Sequence, residues 1–141
     1  YYNILYREQE REMLPLCRDQ GIGVIPWSPL ARGRLARPAG EGDTKRMESD
    51  RFGRLLYKRT EEADRAIIDS VGTIATKRGI PRAEVALAWM LSKPGITAPI
   101  VGATKPEHLK DAVAATAVSL SSDEISALEE HYIPHAVAGF I

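Results

Sequence analysis

Two short stretches hold the residue types that could do chemistry on a ligand. The first is Trp27-Ser28-Pro29-Leu30-Ala31-Arg32-Gly33. Trp27 can offer a flat apolar face to a flat ligand, and Ser28, Pro29, Arg32 and Gly33 are loop chemistry. The second is Gly102-Ala103-Thr104-Lys105-Pro106. Gly102 permits close backbone approach, Thr104 adds a hydroxyl and Lys105 a positive charge. All lie just ahead of a helix whose free N–H groups favour an anion. Each stretch follows a short apolar run, Gly23 to Pro26 and Thr97 to Val101. Such runs suit strands buried in a parallel sheet, and open α/β sheets and barrels hold ligands at the carboxyl ends of those strands. Taken together, the two junctions read as two walls of one site for a phosphate-bearing ligand.

Other chemistries find less support. No Gly-x-Gly-x-x-Gly, Walker loop or Gly-x-Ser-x-Gly elbow occurs. His108, His131 and His135 do not have zinc-cluster spacing, and Pro134 argues against one helix carrying the last two. The single cysteine, Cys17, rules out an internal disulfide. A formal net charge of +0 leaves no electrostatic footprint for nucleic acid or an anionic membrane. No apolar run approaches the ~20 residues that span a bilayer. With no charged-then-apolar leader, a soluble cytoplasmic origin is the simplest fit. The 141 residues, 44% of them hydrophobic, amount to about one domain with a real core.

The elements that must position the two loops alternate in type. Arg7 to Asp19 reads as a helix with Leu14 and Cys17 on its inner face and Gly21 placed to end it. Its Arg7, Glu8, Glu10, Arg11 and Glu12 read as a solvated face with weak ion pairs. A strand over 23–26 follows. Residues 34–60 are polar and long for a loop, which fits a lid and fits surface disorder. Arg51, Arg54, Lys58 and Arg59 within it could approach a phosphate. Thr60 is expected to cap a helix with Glu61, Glu62 and Asp64 in its first turn, an apolar stripe of Ile67, Ile68, Val71, Ile74 and Ala75, and Gly79 at its end. Pro81 opens another helix at its first position, with Trp89 in the core. A strand over 97–101 and a helix from Glu107 to Ala117 follow. Ser121 and Glu124 make a capping box for a last helix that runs to about Glu130. The apolar tail from His131 to His135 folds back onto the body or covers a site.

Four segments then stand out in order: Tyr2-Asn3-Ile4-Leu5-Tyr6-Arg7-Glu8, Pro26 to Gly33, Ala86-Leu87-Ala88-Trp89, and Pro99 to Leu109. They resemble the C-terminal part of the aldo-keto reductases, NADP-dependent oxidoreductases built on a (β/α)8 barrel. The likeness is to the branch with bacterial general-stress reductases, plant homologues and potassium-channel β subunits. It implies an α/β fold over residues 1–141: about the last three βα units of a TIM barrel plus a C-terminal helix, holding NADPH. On that resemblance Trp27 stacks on the nicotinamide, Ser28, Leu30, Arg32 and Gly33 lie along the pyrophosphate, and Pro29 among them counts as cofactor-binding. Thr104 and Lys105 match the segment that grips the adenosine 2′-phosphate, and Gly102 and Ala103 before them count among the cofactor-binding residues. His108 and Asp111 line the adenine ribose and ring, and Ala112 stands where an Asn is common.

The family's catalytic Asp, Tyr, Lys and His lie on the first half of the barrel, and none is assigned here. The chain opens Tyr1-Tyr2-Asn3 without an initiator methionine and reads as a piece of a longer protein. The expected partners are a small carbonyl substrate in the parent and the N-terminal half of the barrel. By itself the chain is expected to be inactive and to self-associate. The alternative from another class is a nucleotide-sensing regulatory subunit of channel-β type.

Overall fold

The computed structural model describes residues 1–40 and 60–135. Most of the 34–60 stretch, with Arg51, Arg54, Lys58 and Arg59, lies outside the described residues.

The expected helix from Arg7 splits in two. A 3-10 turn spans Glu8–Glu10, and α1 begins only at Met13–Asp19. Pro15 is the reason. It has no N–H, and its ring would meet the carbonyl of Arg11 if the helix ran on from Arg7. In the first turn of α1 the missing N–H costs nothing. Gly21 then ends α1 with a left-handed φ of 66°. Ile22 N–H reaches the Cys17 carbonyl at 2.7 Å and Gly21 N–H that of Arg18 at 3.3 Å, the paired closure that caps a helix C-terminus. Gly79 ends α2, Glu61–Arg78, in the same way.

Thr60 precedes α2 but does not cap it through its side chain. Its ψ of 14° lies outside the extended backbone of an N-cap, and its hydroxyl donates to Asp64 Oδ2 at 3.0 Å. The apolar stripe of α2, from Ile67 through Ala75, is buried as expected. Pro81 sits one place before α3, Arg82–Leu91, rather than inside it. Val85 through Met90 are all buried, so α3 is apolar on every side and forms the centre of the domain. It packs against α2, against α4, Pro106–Ala114, and against the 3-10 turns at Ala31–Ala36 and Ala115–Ala117. The expected helix Glu107–Ala117 thus ends in a tighter turn. α5, Ser122–Glu129, carries the capping box: Ser121 Oγ accepts from Glu124 N–H at 3.2 Å, and Glu124 Oε2 from Ser121 N–H at 2.7 Å.

The two apolar runs lie side by side and parallel, but not as the continuous strands expected over 23–26 and 97–101. They pair through isolated bridges, Val24 with Ile96 and Trp27 with Ile100. Val24 N–H bonds to the Gly95 carbonyl, Thr97 N–H to Val24, and Ile100 N–H to Pro26. Pro26 has no N–H to offer the facing carbonyl of Thr97, and Pro99 none to offer Pro26. The ladder resumes one residue late, with two residues between bridges on one side and three on the other. Gly23 leaves room for this pairing: a Cβ there would stand 2.6 Å from Thr97 Oγ1 and force that hydroxyl to turn away.

Candidate functional site

The parallel pairing ends at Trp27 and Ile100, so loops 28–33 and 102–105 leave the fold from neighbouring points at the carboxyl ends of the two runs. This is the juxtaposition that the residue types lead one to expect. Trp27 is 39% exposed, with the Tyr1 ring against it at a centroid distance of 4.7 Å. The next residues hold an uncommon backbone. Ser28, Ala31 and Arg32 adopt left-handed φ values of 56°, 48° and 58°, and Gly33 follows at 96°. Each non-glycine residue in that region costs about 1–3 kcal/mol and persists only where its surroundings impose it. The loop closes on itself: Ala31 N–H donates to the Ser28 carbonyl at 3.0 Å, and Gly33 and Leu35 N–H to that of Leu30 at 2.9 and 3.3 Å. Pro29 is buried, anchoring the loop, while Ser28, Leu30, Arg32 and Gly33 are half-buried.

The second loop is open. Gly102, Ala103, Thr104, Lys105 and His108 are exposed, and Asp111 and Ala112 are half-buried along α4. Pro106 occupies the first position of α4, and no side chain caps that helix. Pro106 has no N–H and the His108 N–H turns back to the Lys105 carbonyl at 3.1 Å, so the Glu107 N–H and the helix dipole are what this end offers beside Lys105. Thr104 Oγ1 and His108 Nδ1 stand 3.4 Å apart. Asp111 lies near Glu84 at the start of α3. Burial, and then the Asp111 charge, push the Glu84 carboxyl up. Among the described residues no group of three or more His, Cys, Asp or Glu side chains could hold a metal ion, and no helix is long and apolar enough to cross a membrane.

The charged run after Tyr6 is a solvated face only in part: Arg11 and Glu12 are exposed as expected, and Arg7, Glu8 and Glu10 are not. Glu8 is buried, and Arg7 turns inward to a cluster around Trp89. Arg7 Nε and Nη2 grip Glu10 at 2.9 and 2.8 Å, and Nη2 also meets Glu129 at 3.0 Å. Glu129 accepts from Trp89 Nε1 at 2.8 Å and from Lys93. Arg7 and Lys93 stand over the Trp89 ring at 5.7 and 4.8 Å. A cleft lined by Tyr2, Glu10, Lys93 and Pro94 adjoins this cluster, whose polar groups are already paired, and contributes nothing to the loops.

The tail does fold back. Tyr132 OH and His135 N–H both donate to Glu8 Oε1 at 2.7 Å, and His135 Nε2 lies 3.0 Å from Thr60 Oγ1. Behind it, Asp64 Oδ1 and His135 Nδ1 are buried without a hydrogen-bond partner among the described residues.

One site residue escapes a reading by chemistry. Asn3 is fully buried and donates from Nδ2 to the Ser28 carbonyl at 3.0 Å. Its signal was present, since an Asn before Ile-Leu-Tyr suits a turn closed by its own side chain. Its target 25 residues on was not legible.

Comparison with known proteins agrees with this geometry. The family model described as Aldo/keto reductase family matches residues 1–133. The chain is 47% identical over 138 residues to versiconal hemiacetal acetate reductase of Aspergillus parasiticus, covering 97% of this chain and 40% of that protein. It is 44% identical over 140 residues to aldo-keto reductase dtxS3 of Metarhizium robertsii, covering 99% and 37%. A crystal structure of a thermostable aldo-keto reductase with the inhibitor epalrestat matches 92% of this chain and 37% of that one, at a TM-score of 0.63 and 26% identity. The chain thus spans about two fifths of the length of these curated relatives.

Proposed function

The chain belongs to the aldo/keto reductase family, and from that premise we propose that it is the NADPH-holding part of a carbonyl reductase. The observation that carries this reading is the Trp27–Ile100 pairing, which starts a strained loop and a Lys-bearing helix start from one place. Bound there, NADPH supplies hydride to the carbonyl carbon of an aldehyde or ketone. The chain's own residues bind and orient. Trp27 presents its ring to the nicotinamide. The left-handed turn at 28–33 runs along the pyrophosphate, with Arg32 beside it. Thr104, Lys105 and the α4 N-terminus hold the 2′-phosphate, with His108, Asp111 and Ala112 along the adenosine.

No side chain in this chain is assigned as proton donor, so the 141 residues alone should not turn over. Met13 and Leu16 on α1 and Leu109 and Val113 on α4 are exposed, as are Ile25 and Ile100 beside the paired runs. These faces pack against the other units of the barrel in the parent, and against another copy when the chain is alone. A regulatory subunit that only senses nucleotide is the weaker reading, because the curated relatives from Aspergillus parasiticus and Metarhizium robertsii both carry the names of reductases.

The test is titration of the full-length protein with NADPH and NADH, followed by NADPH consumption with a simple aldehyde. Tight NADPH binding and aldehyde-dependent consumption are expected. Binding without turnover would favour the sensor, and absence of binding would overturn the site.

A further inference from the structure

We infer that Asn3 is a positioning residue that holds Ser28 in its left-handed backbone and thereby sets the Trp27 ring and the 28–33 cradle; this rests on the cofactor reading above. Ser28 stands against two local preferences. It is a non-glycine residue at φ 56°, and it precedes Pro29, whose ring steers the residue before it toward extended backbone. Left to itself it would straighten, and the chain after Trp27 would leave in another direction. The Ser28 carbonyl is held by two donors at 3.0 Å, Ala31 N–H from within the loop and Asn3 Nδ2 from outside it.

Asn3 is itself immobile. It is fully buried, and its N–H and C=O exchange bonds with Tyr6 at 3.1 and 3.0 Å. Its Oδ1 accepts from Leu5 N–H at 3.0 Å and Tyr6 N–H at 3.1 Å. Two N–H groups therefore face one end of the side chain and one carbonyl the other. Only an amide satisfies both ends: its oxygen takes the two donors, and its nitrogen must face Ser28. The tight turn at 3–6 is thus a rigid base, and the Asn3 side chain a strut from it to the loop.

Asn3→Asp tests the strut, because a carboxylate keeps an acceptor for Leu5 and Tyr6 and turns an oxygen instead of a donor toward the Ser28 carbonyl. Ser28→Gly reads the same contact from its other end, since glycine adopts a left-handed φ without help. Two measurements on the full-length protein follow each variant: acrylamide quenching of tryptophan and NADPH affinity. Trp89 is 0% exposed, so within this chain quenching reports on Trp27; a Trp27→Phe control removes any contribution from elsewhere.

Asn3→Asp should raise quenching and weaken NADPH by about tenfold or more, the cost of one lost buried bond with the repulsion of two facing oxygens added to it. Adding Ser28→Gly should restore most of both. A purely structural Asn3 would show no coupling to position 28. Unchanged quenching in Asn3→Asp, or an equal loss with glycine at 28, would overturn the inference. If Asn3→Asp does not fold, recovery by Ser28→Gly supports the strut and failure to recover overturns it. If the wild type takes no NADPH, the cofactor reading falls, and the quenching cycle still decides the role of Asn3.

Discussion

The Trp89 cluster and the Trp27 junction are built from the same residue types and use them in opposite ways. In the cluster, the indole N–H is bonded to Glu129, and Lys93 and Arg7 lie over the ring. Burial pushes the Glu129 carboxyl up. Hydrogen bonds from Lys93 and Trp89 and the charges of Arg7 and Lys93 outweigh that and leave it below its ordinary range. The Tyr2 phenol is pushed up by burial and by its bond to Glu10. Each of these polar groups is spent on another. At the junction, Trp27 is partly exposed, Lys105 stands in solvent, and the α4 N-terminus has no side-chain cap. The backbone there is strained and held in place from outside. A scaffold is made by pairing groups with each other, and a binding site by fixing the backbone while leaving groups for the ligand.

The sharpest way to break this contrast is at Trp89. Trp89→Ala should cost about 3–5 kcal/mol of folding stability in denaturant unfolding, because it opens a buried space and strips Glu129 of a donor. NADPH affinity of the molecules that remain folded should change little. A loss below about 1 kcal/mol would mean that the cluster does not hold the fold together.

Lys105→Ala should do the reverse in the full-length protein. NADPH affinity should fall by about ten- to more than a hundredfold, the cost of one charge-assisted contact. NADH affinity and the unfolding midpoint should hardly move. Equal weakening of both cofactors would place Lys105 at the pyrophosphate or make it a general stabiliser.

Trp27→Ala comes next. Loss of stacking, about 1 kcal/mol, predicts NADPH binding about fivefold weaker. Stability should fall by less than it does in Trp89→Ala. Unchanged affinity in the folded variant would make Trp27 a packing residue like Trp89.

The smallest effect concerns acid. Burial pushes Glu8 up, but bonds from Tyr132, His135 N–H and Arg11 win and lower its pKa. Glu124 is held down to about 2 by Arg78 and by Ser121 N–H. A carboxyl whose folded pKa is depressed stabilises fully above its ordinary value of 4.5 and loses that stabilisation as pH falls through the folded pKa. Stability should therefore decline below about pH 4.5. Glu124→Gln should flatten that limb toward about pH 2 while costing only roughly 0–1 kcal/mol at neutral pH, as a pair at the surface does. A Glu124→Gln acid limb that matches the wild type would show that the Arg78–Glu124 contact contributes nothing in solution.

Much of this molecule was legible from residue order alone. The endings at Gly21 and Gly79, the box at Ser121 and Glu124, the stripe of α2 and the buried Trp89 all follow from rules that act within one helical turn. The break before α1, which the reading of one helix from Arg7 to Asp19 passes over, follows from a rule of the same kind, because Pro15 excludes a helix from Arg7 by a clash with the turn before it. The two loops were also legible, since an apolar run followed by Ser-Pro or Gly-Ala-Thr-Lys marks a strand end wherever the chain goes next. The tertiary structure decided what depends on a partner far along the chain. Pro26 and Pro99 each look harmless in an apolar run and cost a ladder bond only once the two runs face each other. Arg7, Glu8 and Glu10 read as surface until Glu129, Trp89 and His135 arrive from the other end of the chain to surround them. Asn3 reads as a local turn until the Ser28 carbonyl meets its amide. A side chain's chemistry is written in its type, but whether that chemistry is spent or available is set by what the fold brings within about 3 Å of it.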